Sequence, residues 1–209
     1  MVIAIERWHQ ILKWTQVAAV TVVTGLLGLT LAFLVAERTW VTQQYLDPED
    51  AFRYGSIGTE LAPFPALLVL PDLFPEHFQP AGPEAGDWSD QFGFLRTDDP
   101  RSRELPVGFV TTNYRPKSAA PSPLEFTGFS CVLCHSTEIR VEGRDAAHLV
   151  IGPGNASLNL FAWADAFQAA ILDEDRLTRK SIVETYETKT GETLSTMETV
   201  FIGLWLRQI

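Results

Sequence analysis

GFSCVLCHSTE, residues 128–138, contains the only two cysteines in a chain of 209 residues. Cys131 and Cys134 stand three positions apart, and His135 follows the second directly. A cysteine sulfur that adds to a porphyrin vinyl group forms a thioether. The two vinyls sit on neighbouring pyrroles, so two cysteines a short turn apart reach both. A histidine on the next residue can then bring a ring nitrogen to the iron. The pattern Cys-x-x-Cys-His therefore points to one covalent haem c. Cys131 and Cys134 are its anchors and His135 is the proximal iron ligand. On this reading Val132 and Leu133 are spacers without a chemical duty.

Two other uses of paired cysteines compete with this one. A zinc site takes four ligands, usually as two such pairs, and here the remaining ligands would be scattered histidines. A thioredoxin-like redox motif needs a strand before it and a helix after it within a βαβ rhythm. The chain ahead of Cys131 is proline-rich and has no such rhythm. Two buried thiols with no function are the remaining alternative.

Working outward, Val17 to Ala36 reads VAAVTVVTGLLGLTLAFLVA, 20 residues without a charge. At about 1.5 Å per residue this run reaches roughly 30 Å, the thickness of a bilayer's hydrocarbon core. Arg7 and Lys13 precede it, which by the positive-inside rule leaves the N-terminus in the cytoplasm and the rest outside. Trp8 and Trp14 on one side, and Trp40 and Tyr45 on the other, stand where interfacial aromatics belong. A cleaved signal peptide would have a shorter apolar core and a small-x-small site, and Leu34-Val35-Ala36 is a poor version of one. Haem c is attached on the outer face of bacterial membranes, the side to which this orientation takes Cys131.

The composition, 46% hydrophobic and 20% charged, suits a folded chain. The formal net charge is −10 and there is no basic stripe, which argues against a nucleic-acid partner. An acidic surface also suits a basic redox protein, although a solvated acidic face is its ordinary meaning. Twelve of the thirteen prolines lie between Pro48 and Pro123, so that segment is expected to be mostly irregular. It also carries many large apolar residues, among them Phe64, Leu67, Leu70, Phe74, Phe78, Trp88, Phe94 and Phe109. They need something to pack against, either a flat apolar cofactor or an ordinary core.

Beyond the motif the pattern is helical. Leu160, Phe161, Ala164, Phe167, Gln168 and Ile171 fit one helical face, with Asn155 or Ser157 as the cap. A second helix is expected over Leu177 to Lys189, stopped by Gly191. A third opens at Ser195 with Glu198 three residues on, the capping-box spacing, and carries Met197 on an apolar face. For the sixth iron position the chain outside the anchor offers Met197, His148 and His77. Met197 is expected to pack in the core, and His148 and His77 to lie on the surface or in loops. An open sixth position would admit peroxide or dioxygen.

LPVGF at 105–109, GFSCVLCH at 128–135 and IGPGNASLNL at 151–160 leading into FAWADAF resemble the di-haem cytochrome c peroxidase-like proteins. The match is to their first haem domain, in the branch that contains the rubber oxygenases, and it covers roughly residues 88 to 205. The resemblance implies a mostly helical, loop-rich periplasmic fold with two c-haems, one relaying an electron and one reacting with peroxide or dioxygen. This chain has a single Cys-x-x-Cys-His. A second haem would follow Ile209, reside on a partner subunit, or have been lost.

The expected fold class is mainly α: one N-terminal transmembrane helix and a loop-rich, helical cytochrome c-type domain. The expected segments are 1–16 (cytoplasmic), 17–36 (anchor), 37–123 (proline- and aromatic-rich, packing on the haem domain) and 124–209 (haem c-binding). The expected location is the bacterial cytoplasmic membrane, with the haem domain in the periplasm. Three functions remain open: an electron carrier, part of a peroxidase- or oxygenase-like oxidoreductase, and a structural subunit. The partners expected are redox proteins (basic cytochromes or a second haem subunit) and membrane lipid.

Overall fold

The computed structural model describes the backbone of residues 2–40, 47–78, 87–114, 121–140 and 148–209. It describes side chains over 13–32, 47–78, 87–112, 124–140 and 148–209. The chain forms two compact units, Met1–Thr42 and Gln43–Ile209.

The first unit is the helix α1 (Val2–Trp40). Within it Lys13–Ala32 is long and apolar enough to cross a membrane. Val20, Val22, Val23, Leu26, Leu27, Leu29 and Leu31 are all more than half exposed. The threonine hydroxyls turn inward on the helix: Thr21 donates to the Val17 carbonyl at 2.9 Å and Thr30 to that of Leu26 at 2.8 Å. These two hydroxyls are thereby satisfied within the helix, as an apolar surrounding favours. The span begins four residues before the sequence-based one. The side chains of Arg7, Trp8, Trp40 and Tyr45 lie outside the described residues, while Trp14 is 73% exposed.

The second unit is mainly helical and also contains strands that the sequence pattern did not announce. Helix α2 (Pro48–Tyr54) is followed by β1 (Ala62–Pro63), α3 (Phe64–Leu73), α4 (Pro75–Phe78) and α5 (Trp88–Gln91). Then come β2 (Phe109–Tyr114), β3 (Pro121–Phe129), β4 (Ser136–Ile139), β5 (His148–Ile151), α6 (Leu160–Ile171), α7 (Arg179–Thr190) and α8 (Thr196–Leu206). β3 is the centre of an antiparallel sheet in the order β1-β3-β2, with Phe109 opposite Phe129 and Ala62 opposite Thr127. β4 and β5 form a separate hairpin. The boundary expected at 123 falls inside β3, which belongs to a unit running from 43 to 209.

Residues 64–73, inside the segment expected to be mostly irregular with short elements, form α3, and seven of its side chains from Phe64 to Leu70 are buried. Its prolines do not prevent this. Pro65 sits in the first turn, where the missing N–H has no helical partner anyway, and Pro71 comes only in the last turn. The aromatic side chains pack on one another. Phe94, Phe109, Phe129 and Trp163 meet edge-to-face with centroids 5.0 to 6.0 Å apart, and Phe167 stacks on Trp163 at 5.1 Å. This is an ordinary core, with aromatic pairs in their favoured geometry.

The C-terminal helices differ from expectation in detail. α6 is capped by Asn159, whose side chain accepts from the Ala162 N–H at 3.1 Å. Its buried face is Trp163, Ala166, Phe167 and Ala170, and Phe161 is 87% exposed. The face expected from the sequence, with Phe161 and Ala164, is therefore not the buried one, because the large Trp163 ring took the core. α7 begins two residues later than expected, after a capping box of Thr178 and Ser181. α8 opens with the expected box: Ser195 Oγ accepts from the Glu198 N–H, and Glu198 Oε2 accepts from the Ser195 N–H. Met197 is 57% exposed, against the expectation of core packing, because the buried side of α8 is that of Ile202 and Trp205.

Candidate functional site

The CVLCH segment is a tight turn held from three sides. Ser130 is extended and donates its N–H to the Gly108 carbonyl at 2.8 Å. Cys131–Leu133 then form one 3-10 turn, and the N–H groups of Cys134 and His135 both point back to the Cys131 carbonyl. On the far side Asn155 N–H donates to the Cys134 carbonyl at 2.9 Å, and Gly152 N–H to that of His135 at 2.9 Å. Beneath the turn the buried Ser136 hydroxyl donates to the Val132 carbonyl at 2.7 Å. The IGPGN segment thus pairs with the backbone of the two residues that carry the last thiol and the imidazole.

The LPVGF segment supports the turn from below. Gly108 has φ +88°, and a Cβ there would lie 2.3 Å from Leu133 Cα and 2.4 Å from Leu133 N. Only glycine permits that approach. Val132 and Leu133, read from sequence as idle spacers, are each 3% exposed and anchor the turn in the protein interior.

The turn presents its chemistry outward. Cys131 is half-buried, Cys134 is exposed, and both are free thiols. His135 is exposed, and no hydrogen bond to its ring nitrogens is found among the described residues. Its imidazole meets one ring, that of Phe52 in α2, at 6.2 Å and an angle of 59°. Sequence reasoning missed Phe52, because nothing in the pattern of residues 48–54 marks that helix as part of the site.

A polar cluster fastens α2. Asp47 caps it, accepting from the Asp50 N–H at 2.8 Å. Arg101 bonds Asp50 at 2.8 Å and lies 3.6 Å over the Tyr54 ring. The Tyr54 hydroxyl donates to the Asp99 carboxylate. Burial pushes the Tyr54 hydroxyl pKa up, and the Asp99 hydrogen bond adds to the shift. The same bond holds the Asp99 carboxyl below the usual range in spite of partial burial, with help from the Arg101 N–H groups. Tyr54, Asp99, Ser102 and Gly108 line a cavity of about 40 Å³ that reaches Val132, on the inner side of the turn. No family model, curated protein or solved structure matches this chain.

The three residues considered for a sixth ligand lie apart. His148 pairs with Ile139 at the far end of the β4–β5 hairpin, four positions from His135. At about 3.3 Å per residue that is roughly 13 Å along the strand. Two imidazoles on one metal need their nitrogens roughly 4 Å apart, twice a metal–imidazole bond of about 2 Å. His77 lies on α4 against Phe74, with its Nε2 3.9 Å from Glu76 Oε1. Met197 lies in the first turn of α8. Among the described residues no hydrogen bond or ring contact joins either to the Cys131–His135 turn. No three His, Cys, Asp or Glu side chains converge in a metal-binding group among the described residues.

The residues present fit the attachment chemistry of a thioether-linked porphyrin. The thiols are unbridged, at least one is open to solvent, and the imidazole has no competing hydrogen bond among the described residues. Because the aromatic core is closed on itself, that fit concerns the outer face of the turn.

Proposed function

We propose that the chain is a membrane-anchored c-type cytochrome. It carries one haem c, held by Cys131 and Cys134 with His135 as proximal ligand, and takes part in electron transfer outside the cytoplasmic membrane. The observation that carries this reading is the outward-facing turn with two free thiols and an unengaged imidazole, its backbone fixed by Gly108, Gly152 and Asn155. When bound, the haem supplies a one-electron couple. Gly108 and the 152–155 backbone keep the two sulfurs and the imidazole on one rigid turn. Phe52 limits the tilt of the His135 ring. Arg7 and Lys13 ahead of the apolar span favour an N-terminus inside and a periplasmic haem domain in a bacterial cell. The acidic balance suits a basic redox protein as partner. The likeness of LPVGF, GFSCVLCH and IGPGNASLNL to the first domain of di-haem peroxidase-like proteins agrees with this reading.

The positions of His148, His77 and Met197 favour a second reading, a peroxidase- or oxygenase-like site with an open sixth iron position. One experiment separates the two. The ferrous protein is scanned in the visible range with and without carbon monoxide. Rapid binding supports the open site and counts against a six-coordinate carrier. An unchanged spectrum supports the carrier. A protein with no Soret band at all removes both.

A further inference from the structure

Helix α8 is apolar on both of its sides. Ile202 and Trp205 fill the inner side, while Met197, Val200 and Leu204, at i, i+3 and i+7, are 57%, 44% and 41% exposed on the other. A helix that is apolar all round is ordinarily covered all round. Beside the exposed stripe, a cavity of about 460 Å³ opens between the start of α7 and the end of α8. Val200, Gly203, Leu204 and Leu206 supply its apolar surface, and Arg179 and Arg207 complete the lining. The stem of Arg179 passes over Gly203, 3.4 Å from where a Cβ would stand. These two arginines are unlike most others here. Arg53, Arg96, Arg101, Arg103 and Arg176 each pair with a carboxylate, whereas Arg179 and Arg207 have no ion pair among the described residues. The whole chain is strongly acidic.

We propose that this cavity receives an acidic amphipathic helix of a partner protein. Its apolar side chains enter between α7 and α8 over Val200, Gly203 and Leu204. Carboxylates on its flanks meet the guanidinium groups of Arg179 and Arg207. The i, i+3, i+7 stripe has the spacing that packs against another helix, and Gly203 permits close approach. Charge complementarity selects this occupant over a second copy. Two α8 helices laid antiparallel would set Arg207 against a methionine, with no carboxylate on the shared stripe to compensate. The site is also concave, which suits a protruding helix better than a flat bilayer.

The test uses the full chain in detergent micelles and two labelled synthetic helices of about 18 residues, long enough to hold a helical stripe. One carries a leucine stripe flanked by glutamates. The other has lysine in place of each glutamate. Fluorescence anisotropy should show the glutamate peptide binding at least about tenfold more tightly than the lysine peptide. Arg179→Gln with Arg207→Gln should weaken it by about tenfold, and Val200→Ser should also reduce affinity. Val200→Glu should abolish binding, with unchanged circular dichroism as the control for folding. Equal binding of the two peptides, no binding of either, or full affinity in the arginine variants would overturn the proposal. So would a peptide-free dimer that Val200→Glu dissociates, which would assign the face to a second copy.

Discussion

Replacing Gly108 with alanine strikes the support of the CVLCH turn without touching either thiol or the imidazole. Two costs arise. A residue with a Cβ at φ +88° pays about 1–2 kcal/mol for the left-handed backbone. The new methyl would also fall 2.3 Å from Leu133 Cα, a backbone atom that cannot swing aside. The turn must retreat, breaking or lengthening the Ser130 to Gly108 hydrogen bond of 2.8 Å. A lost buried hydrogen bond costs about 1–3 kcal/mol, so the total is about 3 kcal/mol or more. For a chain of this size that lowers the melting temperature by about 6–12 °C. Gly58→Ala is the control. Gly58 has φ +82° with nothing within 4 Å of its Cβ position, so it bears the backbone cost alone, a shift of about 2–8 °C. Both variants are melted in detergent by circular dichroism, and haem per chain is read by pyridine haemochrome. Gly108→Ala should melt well below Gly58→Ala and carry less haem. Equal melting temperatures and equal haem content would refute the claim that this glycine exists for the close approach to Leu133.

Phe52→Ala should leave haem attachment intact and alter the ligand-field bands of the ferric protein, since it frees the His135 ring to tilt; an unchanged electron paramagnetic resonance spectrum would count against the role given to Phe52. Tyr54→Phe removes the donor that lowers the Asp99 pKa. A depressed carboxyl pKa contributes stability that is present above its unfolded value of about 3.9 and is lost as pH falls through the folded value. The variant should therefore lose stability at neutral pH and show a shallower acid decline below about pH 4 than the parent, as followed by fluorescence melts across pH. Cys131→Ser and Cys134→Ser should each leave one thioether and move the α band, while the double variant should lose haem from a denaturing gel. His135→Ala should lose the normal Soret and α-band pattern, and an unchanged spectrum would show that another residue holds the iron.

Some of this was plain in the sequence because one local signal sufficed. The uncharged run inside α1 and the Ser195–Glu198 cap each depend on residues within a few positions of one another. The strands were not legible in the same way. β3 pairs with β1 across more than sixty residues and includes Pro121 and Pro123, which read as breakers. Helix α3 was hidden by its prolines, whose harmlessness depends on the turn of the helix they occupy. α6 was placed correctly, but its buried face was set by where the Trp163 ring found room in the aromatic core. At the site, the order Cys131, Cys134, His135 was readable, and LPVGF and IGPGNASLNL stood out by resemblance, whereas their contacts with the turn were not readable. Phe52 comes from a helix far earlier in the chain, and the need for glycine at 108 arises only where two backbones meet.

The central claim concerns a covalent bond, so the most direct measurement is the intact mass of the purified chain after denaturation in acid. The account predicts a mass above that of the bare polypeptide by one haem, with both thiols unreactive to alkylation. A polypeptide at its bare mass, with Cys131 and Cys134 both open to alkylation, would contradict it.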